Sequence, residues 1–189
     1  MRIRSPTTPR LSGRALALAS VGLMATDIGS QLAGDSVFPG GPLDETAHVL
    51  TTLLVLWALG PWVTERLGVP ALVASVVIDL DHVPDRLGLR WFTEGTPRPY
   101  THSLLTLALV LGLAAHWRSR RQLLLGVALG LTIHFWRDLA EPDSGVPLLW
   151  PISNHGFVLP HPIFVAGVLV TITVAVLRAD RRTLSLSVS

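Results

Sequence analysis

The chain has 189 residues, of which 49% are hydrophobic and only 15% are charged, against about 25% charged in an ordinary soluble domain. All 15 basic residues are arginine and the formal net charge is +2. Nucleic-acid binding requires clustered positive charge on a polar domain, which this sequence lacks, so we do not expect a nucleic-acid partner. Because the chain has no cysteine, disulfides and thiolate metal sites are excluded, and any metal must be held by His, carboxylate, carbonyl or water.

Six apolar segments alternate with loops rich in Gly, Pro and charged residues. The first, second and sixth approach the length of about 20 residues that crosses a bilayer, whereas the third to fifth have only about 12 to 15. We therefore predict an all-α fold, a polytopic membrane bundle of about six segments, some short or re-entrant. The segments are Ala15–Ala33, Thr46–Val63, Val69–Leu80, Ser103–His116, Gln122–Trp136 and Pro162–Leu177.

The bundle is predicted to be one membrane-embedded domain over residues 15–178, between a basic tail, 1–14, and a polar tail, 179–189. Two alternatives remain open. The short segments also suit a soluble helical bundle, and residues 1–25 resemble a signal peptide with a charged start and a short apolar run.

Arginine is distributed unevenly between the predicted loops. If the chain begins in the cytoplasm and crosses six times, the inner regions contain 11 arginines and the outer loops contain 4, as the positive-inside rule expects. We therefore predict a multi-pass protein of the cell membrane with both termini in the cytoplasm. The outer loops would be Gly34–Glu45, Val83–Tyr100 and Leu139–His161.

Seven His and Asp residues fall on the outer side under this topology, although the topology was set from arginine alone. Ionisable residues near a membrane interior are costly and usually functional. Asp79 and His82 are three apart, and His134 and Asp138 are four apart, so each pair shares a face if its segment is helical. The seven are His48, Asp79, Asp81, His82, His102, His134 and Asp138.

This mixture of imidazole and carboxylate predicts a divalent transition metal, Zn first with Mn or Fe as alternatives, in one or two copies. Asp81 would point away from the helical face of Asp79 and His82, since each helical residue turns about 100°. We predict that Asp81 is a general base or orients a ligand. The predicted ligands are His48, Asp79, His82, His102, His134 and Asp138.

Three flanking residues complete the predicted site. Asp85 either turns the chain after Pro84 or serves as a second catalytic carboxylate, and Arg98 and Arg137 would bind a phosphate group. The remaining histidines are predicted to be structural: His116, His155 and His161.

Four motifs carry a resemblance to a known family: Asp79-Leu80-Asp81-His82 followed by Pro84-Asp85; Thr101-His102-Ser103-Leu104; His134 with Asp138; and the run from Gly145 to Pro151. Their order and approximate spacing over about residues 46–151 resemble the YdjM-type family of inner-membrane-associated, metal-dependent hydrolases. The resemblance implies that the seven His and Asp residues match the family's conserved polar positions.

The chain also departs from the family pattern. Ile78 replaces a proline before the first Asp, and Pro97-Arg98-Pro99-Tyr100 replaces a His-Arg-Gly string, which removes an expected histidine. The family's first histidine usually lies close to the start of the chain, whereas His48 follows an additional apolar segment.

The leading interpretation is a membrane-bound hydrolase in which a metal-activated water attacks a phosphoester of a lipid or isoprenoid. Membrane lipid and a lipid-like substrate are the expected partners, and nucleic acid is not. One alternative is a non-catalytic ion or metal transporter. Another is a metal-binding assembly protein that docks through the loop Asp138–Pro162.

The predicted topology is testable by cysteine labelling, since the chain has no background cysteine. Ser36→Cys and Ser144→Cys should react with an impermeant maleimide from outside the cell, because both lie in predicted outer loops. Labelling of both from the cytoplasmic side alone would reverse the orientation.

Overall fold

The computed structural model describes residues 13–34, 36, 38–141 and 145–186, with side chains through Ala179. Residues 1–12 of the predicted basic tail, Ser144 and residues 187–189 lie outside the described residues. Within those ranges the regular secondary structure is helical. Val146 and Phe157 form one isolated antiparallel β-bridge.

Six longer helices and one short helix follow each other along the chain. α4 is the short one, and a 3₁₀ turn, Ile78–Asp81, joins it to α3. The helices are α1 Gly13–Ala33, α2 Gly40–Leu59, α3 Pro61–Val77, α4 His82–Arg86, α5 Leu104–His116, α6 Arg121–Asp138 and α7 His161–Leu186.

The break between α2 and α3 lies inside the segment predicted as Thr46–Val63. Gly60 has φ of 96°, which few residues other than glycine adopt, and Pro61 starts the next helix, where its missing N–H costs nothing. Thr64 secures the turn by donating its hydroxyl to the carbonyls of Leu56 and Gly60. The third helix therefore starts eight residues before the predicted Val69. The polar residues in these eight positions lower the local hydropathy, so the sequence pattern did not include them in the segment.

Three stretches of the described chain are long and apolar enough to cross a membrane: Gly13–Ala33, Pro61–Arg86 and His161–Ala179. The expected all-helical fold is thus confirmed, with three stretches of the described residues that qualify as spans, and the six crossings stay a prediction. α5, at 13 residues, is as short as predicted. α7 continues to Leu186, into the region expected to be a polar tail.

The N-terminal helix α1 is part of the packed core. Leu16, Ala19 and Leu23 are buried together with Ala47 and Leu54 of α2, and Ala175 of α7 joins them. The opposite face of α1 exposes large apolar side chains, which suits contact with lipid.

α3 and α6 lie side by side and run in the same direction. A Cβ on Gly126 would lie 2.3 Å from Pro70 Cγ, and one on Gly130 would lie 2.3 Å from the carbonyl oxygen of Ala71. Small residues four apart allow two helix backbones to approach closely, as they do in membrane bundles. One turn further on, His134 contacts the carbonyl of Ser75, so the close contact leads directly to the polar end of both helices.

Gly130→Ala should destabilise the protein, because the added methyl group meets backbone atoms that cannot move aside. We expect a loss of about 1–3 kcal/mol, the usual cost of overpacking, seen as a lower melting temperature in detergent. Gly112→Ala in α5 is the matched control, since its Cβ would meet nothing within 4 Å. Equal stability of the two variants would contradict the close contact.

Candidate metal centre

The seven predicted residues come together at one end of the bundle, and we call them the His/Asp cluster. His48 lies on α2, the Asp79–His82 string follows α3, and His102 precedes α5, while His134 and Asp138 end α6. Because α3 and α6 run in parallel, residues at four-residue spacing on each helix face each other. The string Ala71, Ser75, Asp79 therefore lies along Gly130, His134, Asp138.

Two imidazole nitrogens form the centre of the cluster. Nε2 of His102 and Nε2 of His134 are 3.1 Å apart. Asp79 Oδ1 lies 3.3 Å from the first nitrogen and 3.4 Å from the second, and Asp138 Oδ2 lies 3.5 and 3.1 Å from them. Metal–ligand bonds of about 2.0–2.1 Å in a tetrahedral site separate neighbouring ligand atoms by about 3.3–3.4 Å. These five distances are close to that spacing. Asp79 and Asp138 share no group of ligand atoms within 4.8 Å of one another, so the four atoms do not form one closed tetrahedron.

The far nitrogen of each central histidine faces an oxygen that can orient its ring. His134 Nδ1 is 2.9 Å from the carbonyl oxygen of Ser75, so it donates its hydrogen there and leaves Nε2 as a lone-pair donor. His102 Nδ1 is 3.4 Å from Asp81 Oδ2, and the Thr101 hydroxyl also donates to this carboxylate oxygen. This is the usual arrangement behind a metal-binding imidazole, and it suits the predicted orienting role of Asp81.

His48 is almost completely buried against His134. The two rings stack with their centroids 4.0 Å apart, and His48 is 1% exposed. Its Nε2 lies 3.3 Å from Asp138 Oδ1, the oxygen that faces away from the central histidines. Neither nitrogen of His48 makes a hydrogen bond.

The cluster is open only along the string Asp79–His82. Side chains of Asp79, Asp81 and His82 are 15, 13 and 26% exposed, whereas those of His102, His134 and Asp138 are fully buried. The neighbours of the open edge, Leu80 and Val83, are exposed and apolar. A molecule entering the cluster therefore meets His82 first.

The donor set fits the predicted divalent metal. Three overlapping groups have ligand atoms within 4.8 Å of one another. Both oxygens of Asp138 and one of Asp81 are buried without a hydrogen bond, an unfavourable state that a bound cation would relieve. The three groups are Asp79 with Asp81, His82 and His102; His48 with Asp79 and His134; and His102 with His134 and Asp138.

The two predicted phosphate-binding arginines are already paired with carboxylates. Arg98 Nη1 lies 3.2 Å from Asp138 Oδ2, and Nη2 pairs with Glu141. Although burial lowers the pKa of Arg98, these carboxylates raise it above its usual value. Burial raises the pKa of Glu141 to about 7 against the opposing effect of Arg98. A phosphate would have to compete with these partners.

Arg137 links the cluster to two other helices. Its Nη2 donates to Asp27 Oδ1 of α1 at 2.7 Å and lies 3.5 Å from Asp44 Oδ1 of α2. Asp27 and Asp44 thus belong to the surroundings of the site, as do Glu45 and Glu141, although none was assigned to it from the sequence. The i, i+3 spacing of Glu45 and His48 was the available signal.

Several histidines and one acid remain outside the cluster. Asp85 is exposed and accepts a hydrogen bond from Thr93, and it belongs to none of the groups of ligand atoms found among the described residues. The predicted catalytic role of Asp85 therefore has no geometric support. His116, His155 and His161 are exposed and also lie outside these groups.

The family model described as YdjM inner membrane protein matches residues 43–188. The chain belongs to this family. The match covers every residue of the His/Asp cluster and confirms the resemblance drawn from the four motifs. It starts after α1, so Asp27 lies outside the matched region. Comparison with curated proteins found no match, and comparison with solved structures found none either.

Asp81→Asn should weaken metal binding about 10–100-fold without removing it, the usual effect of losing a group that orients a ligand. His134→Ala should remove the metal, because it deletes a central donor. Metal titration of detergent-solubilised protein measures both. Asp85→Asn, an exposed acid four residues away, is the matched control, and equal affinities for the Asp81 and Asp85 variants would exclude the orienting role.

Proposed function

We propose that this member of the YdjM family is a membrane-bound, metal-dependent hydrolase that acts on a phosphoester of a lipid or isoprenoid. The convergence of His102, His134 and Asp138 at ligand spacing, with Asp79 beside both histidines, carries this proposal. These four residues would hold a divalent metal, Zn in the first instance. A bound metal of this kind lowers the pKa of a coordinated water towards 7 and polarises the phosphoryl group.

The residues around the donors would do the remaining work. Asp81 Oδ2 lies 3.4 Å from Nδ1 of His102, and the second oxygen of Asp81, Oδ1, has no hydrogen-bond donor and is available to accept a proton. His82, at the open edge, has its Nε2 3.6 Å from Asp79 Oδ1. It is the group of the cluster best placed to exchange protons with a leaving group that arrives from outside.

A lipid-like substrate is supported by the position of the open edge. Asp79 lies 18 residues beyond the start of the candidate span Pro61–Arg86, or about 27 Å along a helix that rises 1.5 Å per residue. A hydrocarbon core is about 30 Å thick, so this edge would lie near its boundary, where lipid head groups meet acyl chains. Exposed Leu80 and Val83 beside it suit the apolar part of such a substrate.

The proposal predicts that purified protein contains stoichiometric divalent metal and releases phosphate or a phosphorylated head group from phospholipid or polyprenyl phosphate in mixed micelles. A chelator should abolish release, and Zn or Mn should restore it in the wild type but not in His134→Ala. The measurements are elemental analysis and a phosphate-release assay, with retention of fold checked by circular dichroism.

Two results would count against this function. Protein that neither contains metal nor binds added Zn or Mn is not a metallohydrolase. Protein that binds metal, hydrolyses none of these phosphoesters and moves metal across a liposome membrane would instead be a transporter.

A further inference from the structure

Arg98 lies between two carboxylates that differ in burial. Its own side chain is 9% exposed, with the fully buried Asp138 on one side and Glu141, 40% exposed, on the other. Both acids belong to one turn, because the backbone N–H of Glu141 donates to the carbonyl oxygen of Asp138 at 3.1 Å. Glu141 is in none of the groups of ligand atoms found among the described residues. One guanidinium therefore faces a predicted metal ligand and a carboxylate outside the ligand set.

The backbone around Arg98 limits how far its loop can move. A proline precedes it and another follows it, and each proline ring fixes φ at about −65°. The Thr96 hydroxyl donates to the Arg98 carbonyl oxygen at 2.8 Å, and the N–H of His102 donates to the Pro99 carbonyl oxygen at 2.9 Å. Because the loop is tied down in this way, the guanidinium moves between the two carboxylates by rotation of its side chain.

The two contacts of Arg98 differ in kind. Nη2 donates a hydrogen bond to Oε2 of Glu141. Nη1 lies 3.2 Å from Oδ2 of Asp138, but neither oxygen of Asp138 accepts a hydrogen bond. A hydrogen bond between two charged groups is directional and about twice as strong as one between neutral groups. Glu141 therefore holds the guanidinium, which faces Asp138 as a nearby positive charge.

Oδ2 of Asp138 is the oxygen that a metal would use. It lies 3.1 Å from Nε2 of His134 and 3.5 Å from Nε2 of His102, and these three residues form one of the groups of ligand atoms. A guanidinium that donated to both oxygens of this carboxylate would occupy lone pairs that the metal needs. Whatever holds Arg98 away from such a bond leaves those lone pairs open.

We propose that Glu141 is a positioning residue of the metal centre, which binds the Arg98 guanidinium and so keeps the oxygens of Asp138 open to a divalent cation. Glu141 acts through Arg98 and touches neither the metal nor the substrate. Without Glu141, Arg98 turns fully onto Asp138 and competes with the metal. This inference rests on the metal site of the proposed function, and it gives a role to an acid that the sequence did not assign to the site.

The test is a Zn titration of the full chain in detergent, after a chelator has removed bound metal, for wild type, Glu141→Gln, Arg98→Gln and the double variant. Glu141→Gln should bind Zn about tenfold more weakly, the lower end of the usual effect of losing a group behind a ligand. Arg98→Gln should bind Zn more tightly than wild type, because the competing cation is gone. Glu94→Gln, an exposed acid shortly before Arg98 in the chain, is the matched control and should bind Zn as wild type does.

The double variant separates positioning from a simple effect of charge. If Glu141 acts through Arg98, the double variant should bind Zn as tightly as Arg98→Gln, since Glu141 then has no guanidinium to hold. If Glu141 attracts the cation by its own charge, the two effects multiply, and the double variant should bind more weakly than Arg98→Gln by the factor seen for Glu141→Gln alone. The second result would overturn the proposal.

Three other results would contradict the role of Glu141. Wild-type affinity in Glu141→Gln would mean that it positions nothing, and weaker binding in Arg98→Gln would mean that the guanidinium supports the metal. A wild type that binds no Zn would overturn both this inference and the metal site of the proposed function. If Arg98→Gln does not fold, Arg98→Lys replaces it, because an ammonium lacks the fork that joins the two carboxylates. Adding Glu141→Gln to Arg98→Lys should leave its Zn affinity unchanged, and a further loss would overturn the proposal.

Discussion

Close contact between the backbones of α3 and α6 is the constraint on which the geometry of the His/Asp cluster depends. Two glycines of α6 let it approach Pro70 and Ala71 without intervening side chains. Further along the same two stripes, Ser75 orients His134, and Asp79 and Asp138 reach the same pair of imidazoles. The same four-residue spacing along α3 and α6 therefore places small residues where the helices touch and the His and Asp side chains of the cluster at the helix ends.

Two other helices, α1 and α2, add charged and buried side chains around the pair formed by α3 and α6. α2 supplies His48 and two acids, and α1 reaches the site through Asp27 and its ion pair with Arg137. α1 precedes the region that matches the family. A buried guanidinium is costly unless it is paired. Asp27 of α1 therefore supplies part of the negative charge that pairs with Arg137 beside the cluster.

The sequence allowed the helical class, the family and the seven clustered residues to be predicted, because ionisable side chains are conspicuous in apolar segments. It did not place the break at Gly60, since hydropathy averages across a tight turn. It left out Glu45 and Asp44, which sit before an apolar run and look like ordinary first-turn acids. It assigned Arg98 and Arg137 to phosphate because their carboxylate partners come from distant parts of the chain.

The position of Gly130 also determines how the centre responds to helix movement. Gly130 is one turn from His134, about 6 Å along the axis at 1.5 Å per residue. A tilt of α6 by about 10° about that contact shifts the His134 backbone by about 1 Å, well beyond the tolerance of about 0.2 Å for metal–ligand distances. Because this distance is short, a tilt below about two degrees stays within that tolerance, and a larger change of crossing angle would move His134 away from the position that the proposed metal requires.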